Sequence, residues 1–147
     1  MPPNQPPIVY DGPKLRFSVT REYVWEMGHA LAKHKGKCFS PHGHNYRAEI
    51  EFSGPLNRES GMVVDFAELD KKIEPYLKKE YDHKFLFNEE DERFSEDYGT
   101  KVDKEPTAEN LALWIWEECE YMFDTWTNLE RITIWETDKS SATIRRS

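Results

Sequence analysis

The chain has 147 residues, a length that suits one domain with a sizeable core. Hydrophobic residues make up 37%, and the longest apolar run, Leu111 to Trp116, is far too short for a membrane-spanning helix, which needs about 18 or more. With 28 acidic and 20 basic side chains and a formal charge of −8, the basic stripe of a nucleic-acid binder is missing; two cysteines cannot build a disulfide framework, so a reducing, cytoplasmic setting is expected.

The first 13 residues hold five of the nine prolines and no apolar periodicity, which predicts a mobile arm ahead of a single domain over 14–147. Leu15, Phe17, Val19, Tyr23, Val24 and Trp25 then predict a strand from Leu15 to Met27. Ala32 to Pro41, with its lysines, Gly36 and Pro41, reads as a loop. From Asn45 to Phe52 the alternation is clean: Tyr46, Ala48, Ile50 and Phe52 share one face, and Arg47, Glu49 and Glu51 the other. That is the pattern of a half-buried antiparallel strand.

A helix is predicted from Asp65, an N-cap with Glu68 three residues on, followed by Phe66, Leu69, Ile73 and Leu77 at helical spacing. Pro75 lies inside it, where proline costs roughly 3 kcal/mol or kinks the helix. Asn88 to Glu105 carries eight acidic and three basic residues, and reads as a solvated loop. Thr107 is a good N-cap for a second helix whose apolar face is Leu111, Trp114, Ile115, Cys119 and Met122. Cys119 on that face reads as a small buried hydrophobe. Leu129 to Thr137 alternates, and Ala142 to Arg146 can pair with it through a turn at Asp138 to Ser141. The order strand, strand, helix, helix, strand, strand favours an α+β antiparallel sheet with two helices on one face.

Four of the five histidines fall between positions 29 and 44. His42 and His44 flank Gly43, and residues i and i+2 of a strand point to the same face. Their Cα atoms then lie roughly 6.5 Å apart, near enough to converge on one metal. Gly43 leaves room for something to approach the backbone. His29, near the end of the preceding strand, reaches the same spot if the two strands pair. Three histidines match a catalytic zinc site, which keeps its fourth position for water or substrate. His34 has no partner at useful spacing. Cys38, four residues before His42 and among Lys35, Gly36 and Lys37, is either an activated thiol beside the metal or a fourth ligand in a structural zinc site.

Several motifs in this order carry a family resemblance: Gly28-His29-Ala30-Leu31, CFSPHGHNY (Cys38 to Tyr46), GMVVDFAEL (Gly61 to Leu69), Asp82-His83, PTAEN (Pro106 to Asn110) and Trp135-Glu136-Thr137. The chain resembles the 6-pyruvoyl-tetrahydropterin synthase superfamily from about Leu15 to Ile144. Three residues between Cys38 and His42 are similar to its 6-carboxy-tetrahydropterin synthase branch; the 6-pyruvoyl enzymes typically have two more. A third branch replaces the cysteine by glutamate. Departures are Met27 before Gly28, Phe87 between Leu86 and Asn88, and a long acidic segment after Asn88.

The resemblance implies the tunnelling fold, a four-stranded antiparallel sheet with two helices on one face. It also implies a homohexamer built as a dimer of trimers, with active sites between subunits. The implied activity is zinc-dependent conversion of 7,8-dihydroneopterin triphosphate to 6-carboxy-tetrahydropterin, acetaldehyde and triphosphate, in 7-deazaguanine nucleoside synthesis. Zinc would sit on His29, His42 and His44. Cys38 would move protons, with Asp82 and His83 as its partners across a subunit interface. Glu136 would accept the two parallel N–H donors of the pterin edge, with Glu109 a secondary candidate. Lys33, Lys35, Lys37 and Arg47 are possible triphosphate contacts. Rival readings are 6-pyruvoyl-tetrahydropterin formation and a non-catalytic zinc-stabilised pterin- or purine-binding module.

Overall fold

Period-two alternation builds the centre of the molecule. The structure is a computed structural model and describes residues 15–123 and 127–147; the predicted arm over 1–13 lies outside the described residues. β1 (Phe17–Ala30) buries Tyr23, Trp25, Met27 and His29 on one face and turns Glu22, Val24 and Glu26 to the other. β2 (His42–Gly54) buries Tyr46, Ala48, Ile50 and Phe52 likewise. The two pair antiparallel along their whole length, from Phe17 opposite Gly54 to His29 opposite His42. At the histidine end both strands run further than the apolar alternation indicates, because the ladder continues through the histidine positions, while β1 begins at Phe17 rather than Leu15.

α1 (Phe66–Glu80) starts at Asp65, whose carboxylate accepts a hydrogen bond from the Ala67 N–H at 2.9 Å. The helix continues through Pro75, since Leu69, Ile73 and Leu77 on its buried face outweigh one missing ladder bond. Asp70 pins α1 to β1: it accepts both Nε and Nη2 of Arg21, at 3.0 and 2.7 Å, and the Tyr23 hydroxyl at 2.9 Å. α2 (Ala108–Met122) is capped by Thr107, whose hydroxyl accepts from the Asn110 N–H at 3.1 Å. Its Leu111, Ala112, Ile115 and Cys119 pack with the α1 stripe on Ala48, Ile50, Phe52, Ile132 and Ile134. Burial pushes the Cys119 thiol up to about 12, as befits a core residue.

β5 (Asn128–Thr137) pairs antiparallel with β2, and β6 (Ser140–Arg145) with β5. The expected four antiparallel strands are therefore present as β1-β2-β5-β6. Among the described residues the sheet nevertheless has six strands, with β3 (Phe85–Asn88) and β4 (Thr100–Val102) added in the order β4-β3-β1-β2-β5-β6, and is mixed. β3 joins β1 in parallel, Gly28 opposite Phe85 and Ala30 opposite Phe87, and β4 joins β3 in parallel.

The segment read as a solvated acidic loop is thus partly structural. Phe94 and Tyr98 pack edge-to-face with Phe85 at ring-centroid distances of 5.1 and 4.9 Å, and Phe87, the extra residue before Asn88, is buried beside them. Gly99 is required by this packing, since a Cβ there would lie 2.4 Å from the Phe85 carbonyl oxygen. Strands of four and three residues are too short to show a period.

A candidate metal centre beside the end of the first two strands

The register that sets His29 opposite His42 puts three imidazoles on the helix-covered face at the end of the β1–β2 ladder. Ring centroids are 4.5 Å apart for His29 and His42, 5.2 Å for His29 and His44, and 4.9 Å for His42 and His44. One nitrogen from each lies within 4.8 Å of the other two. What approaches Gly43 is the neighbouring strand: the Met27 carbonyl oxygen would stand 3.4 Å from a Cβ there.

The ring tautomers follow from the hydrogen bonds. A carbonyl oxygen can only accept, so His29 Nδ1–H donates to Pro106 O at 2.7 Å and His42 Nδ1–H donates to Ser40 O at 2.7 Å. Both Nε2 atoms are then lone-pair acceptors, and they face each other at 2.9 Å. Two such lone pairs repel unless a cation lies between them. His44 Nε2 is buried with no hydrogen-bond partner. A tetrahedral zinc with bonds of about 2.0–2.1 Å holds its nitrogens about 3.4 Å apart, so the donor set fits such an ion. Carbonyls on the far ring nitrogens are the usual outer support of metal-binding histidines. Burial pushes His29 down to about 4, and burial with His42 nearby pushes His44 down, so these rings stay neutral and able to ligate near pH 7.

Glu136 of β5 borders the triad, its carboxylate 3.8 Å from His44 Nε2. It is half-buried and accepts from the Ala108 N–H at the start of α2. Burial raises its pKa, and the neighbouring Glu109 raises it further. Glu136 and Glu109 line a small cavity with Leu31, Thr107 and the start of β6. The two carboxylates proposed from sequence are therefore brought to one place, within reach of the histidines.

Cys38 lies on the 3₁₀ turn Lys37–Phe39, is half-buried, and is a free thiol. Its sulfur is not a member of the histidine group among the described residues. The turn is held from inside, where the Leu31 N–H donates to the Cys38 carbonyl at 2.8 Å.

Asp82 and His83 form a hydrogen-bonded dyad, Oδ1 to Nδ1 at 2.8 Å, with His83 Nε2 3.3 Å from the Glu26 carboxylate. His83 adopts φ 60, a left-handed conformation that turns the chain out of α1 into β3. It shares a shallow cleft with Glu26, Met27, Gly28, Gly43, His44 and Asn45, and its ring meets Glu26, whose side chain is on the sheet face opposite the triad. Within one chain the dyad and the triad are thus on different sides of the sheet. Of the cations considered for the triphosphate, Lys33 pairs with Glu90, and Arg47 pairs with Glu22 and Glu49 on that same opposite face. Lys35 and Lys37 are exposed.

Residues 18–147 match the profile of the family described as 6-pyruvoyl tetrahydropterin synthase. The chain belongs to that family. A 6-carboxy-5,6,7,8-tetrahydropterin synthase of Haemophilus influenzae is 30% identical over 137 residues, covering 84% of this chain and 95% of that one. A 6-pyruvoyl tetrahydrobiopterin synthase of Drosophila melanogaster is 37% identical over 112 residues, covering 75% of this chain and 62% of that one. The structure of Caenorhabditis elegans 6-pyruvoyl tetrahydropterin synthase superposes with a TM-score of 0.69 at 26% identity, covering 90% of this chain and 97% of that one.

In this family member, Tyr46 and Glu105 support the site in roles that the sequence reading did not assign to them. Tyr46 closes the floor, its hydroxyl 3.2 Å from His29 Nδ1. Glu105 accepts from the Ala32 and Lys33 N–H groups, each at 3.2 Å, and from Asn88 Nδ2 at 2.8 Å. It thereby ties the segment before Pro106 to the end of β1 and to β3. The cap signal at Thr107 and the PTAEN motif pointed to this corner.

Proposed function

We propose that this chain is a zinc-dependent lyase of the 6-carboxy-tetrahydropterin synthase kind, acting in 7-deazaguanine nucleoside synthesis. It would convert 7,8-dihydroneopterin triphosphate and water to 6-carboxy-tetrahydropterin, acetaldehyde and triphosphate. One side-chain carbon stays on the pterin as the acid and two leave as acetaldehyde, so the bond between the first and second side-chain carbons breaks.

The observation that carries this reading is the pair of facing lone pairs on His29 and His42, with the orphaned His44 nitrogen, next to a half-buried carboxylate. A zinc ion held by His29, His42 and His44 supplies Lewis-acid stabilisation of negative charge on the substrate side chain, a contribution of several kcal/mol. Glu136 accepts from the two parallel N–H groups of the pterin, as carboxylates accept from arginine. These donors stabilise the charged form that burial disfavours. Glu109 lines the rim of that pocket. Cys38 carries protons to and from the side-chain carbons.

Asp82 orients His83, and the pair serves the site of a neighbouring subunit. Their place across the sheet from their own triad supports that assignment. A homohexamer brings the surfaces together. Among the described residues, the edge of β1 from Ser18 to Met27 has no strand paired beyond it, since β3 pairs only from Gly28 onward, and an open edge invites pairing. Cys38 and Cys119 are both free thiols, which suits a reducing cytoplasm.

Incubation with dihydroneopterin triphosphate, with mass analysis of the pterin and an acetaldehyde assay, tests the reading. Release of acetaldehyde together with 6-carboxy-tetrahydropterin is expected. The similarity to the Drosophila enzyme favours a second reading, 6-pyruvoyl-tetrahydropterin formation, which would give triphosphate and no acetaldehyde. Light scattering tests the hexamer, and a stable monomer at micromolar concentration would remove the role given to Asp82 and His83.

A further inference from the structure

The acidic segment between β3 and α2 reaches the turn that carries Cys38. Arg93, the segment's first cation, spans the gap. Its Nη1–H donates to the Phe39 carbonyl at 2.6 Å, and its guanidinium lies 3.5 Å above the Phe39 ring. The other side of the fork is fixed: Nε and Nη2 donate to Asp91 at 2.9 and 2.7 Å. Asp91 is buried, and its own N–H donates to the Asn88 carbonyl at the end of β3. The guanidinium is therefore anchored to the sheet before it touches the turn.

The backbone of the turn is held at three consecutive carbonyls. Leu31 N–H bonds to Cys38 O, Arg93 to Phe39 O, and the His42 ring to Ser40 O. The first comes from the residue just past the end of β1 and the third from the first residue of β2. Arg93 supplies the second, from a segment 54 residues away. A second tie, Lys33 to Glu90 at 2.9 Å, joins the same two segments.

We infer that Arg93 is a positioning residue for Cys38: by holding Phe39 through its carbonyl and its ring, it fixes where the thiol stands relative to the three histidines. The inference rests on the proton-transfer role proposed for Cys38. Arginine is needed because one planar group must make a two-pronged bond to Asp91, donate to a carbonyl and stack on a ring. Lysine can do one of these at a time.

The test uses the full-length, zinc-loaded protein with Arg93→Ala, Arg93→Lys and Phe39→Leu. Zinc content, kcat, KM and the rate of Cys38 alkylation by iodoacetamide are measured, the last by mass spectrometry with buried Cys119 as the unreactive reference. For Arg93→Ala, kcat should fall about tenfold to a hundredfold, the scale of a small misplacement of a reacting group. KM should stay close to that of the parent protein, one zinc per chain should remain, and Cys38 alkylation should rise several-fold as the turn loosens. Arg93→Lys should recover only part of the loss. Adding Phe39→Leu to Arg93→Ala should cost little more, because both remove the same contact.

Unchanged kcat and unchanged alkylation in Arg93→Ala overturn the inference. So does a fall in kcat matched by an equal loss of zinc, which would mark a role in holding the fold. Should Arg93→Ala not fold, Asp91→Asn weakens the anchor without removing the guanidinium, and the same kcat and alkylation criteria decide. If the parent protein does not turn over the pterin, the proposed function fails, and the alkylation rates alone still support or overturn the clamp.

Discussion

Two regions close around the same site, and they differ in how they are built. The end of the β1–β2 ladder places His29, His42 and His44 by strand register alone, so each imidazole follows from the pairing of Met27 with His44 and of His29 with His42. The Cys38 turn has no regular element longer than three residues. It is held at its carbonyls by Leu31, the His42 ring and Arg93, the last from 54 residues away. In the proposed function the metal ligands lie on a ladder, and the residue assigned to proton transfer lies on a turn held partly from a distant segment. The variants below separate the two.

The largest effect is expected at the histidines proposed to hold the metal. His42→Ala should lose most of its zinc and, with it, activity. Metal analysis showing full occupancy would mean that these rings do not form the site. Next comes the turn. Cys38→Ala should keep one zinc per chain, because three histidines and water complete a tetrahedron. Turnover should fall by roughly 10²–10⁴, the usual contribution of a positioned acid or base. Pterin affinity should change little. Loss of zinc together with a lower melting temperature would instead make Cys38 a fourth ligand, and would erase the contrast between the regions.

These expectations show what the sequence makes legible. Strand alternation at Tyr46, Ala48, Ile50 and Phe52 reports directly on burial, so β2 and the face of its histidines could be read. The spacing of Leu69, Ile73 and Leu77 did the same for α1. The acidic segment could not be read in this way. Its strand β4 is three residues long, its partner β3 four, and their pairing is parallel and depends on Phe85, Phe94 and Tyr98 meeting across the chain. Net charge pointed to solvation, yet Arg93 and Asp91 satisfy each other and Glu105 is absorbed by backbone donors. Charge composition cannot tell a solvated side chain from one whose partner lies 54 residues away. Likewise, the proposed catalytic use of Asp82 and His83 rests on family resemblance, since no local pattern distinguishes them from an ordinary helix exit.

Acid should act on the ladder region before the turn. In the metal-free protein His29 sits near 4, against an ordinary value of 6.5 in the unfolded chain. Between those values the unfolded state binds more protons, so stability is present above pH 6.5 and is lost as pH falls toward 4. At about 1.4 kcal/mol per unit, the loss from this ring approaches roughly 3 kcal/mol. Denaturant titrations at pH 7 and pH 4.5 measure it. Zinc should steepen the dependence, because protons then compete with the ion. A metal-free chain equally stable at both pH values would contradict the buried, neutral state of His29.

The smallest effect probes the joint between the regions and the second helix. Thr107 caps α2 immediately after Pro106, whose carbonyl fixes the His29 tautomer, and before Ala108, whose N–H bonds Glu136. Thr107→Ala removes the hydroxyl that satisfies the Asn110 N–H and should cost about 1 kcal/mol. For a chain of this size that is a fall of about 2–4 °C in melting temperature. If the cap only ended a helix, the whole effect would be thermal. Because the same few residues also hold His29 and Glu136, zinc affinity and pterin binding should weaken slightly as well, while Cys38 alkylation in the zinc-loaded protein should not change. Thr107→Ser, which keeps the hydroxyl, should restore all three. A Thr107→Ala protein that is less stable, yet binds zinc and pterin as the parent does, would show that the ladder alone positions the ligands and that the start of α2 merely lies against them.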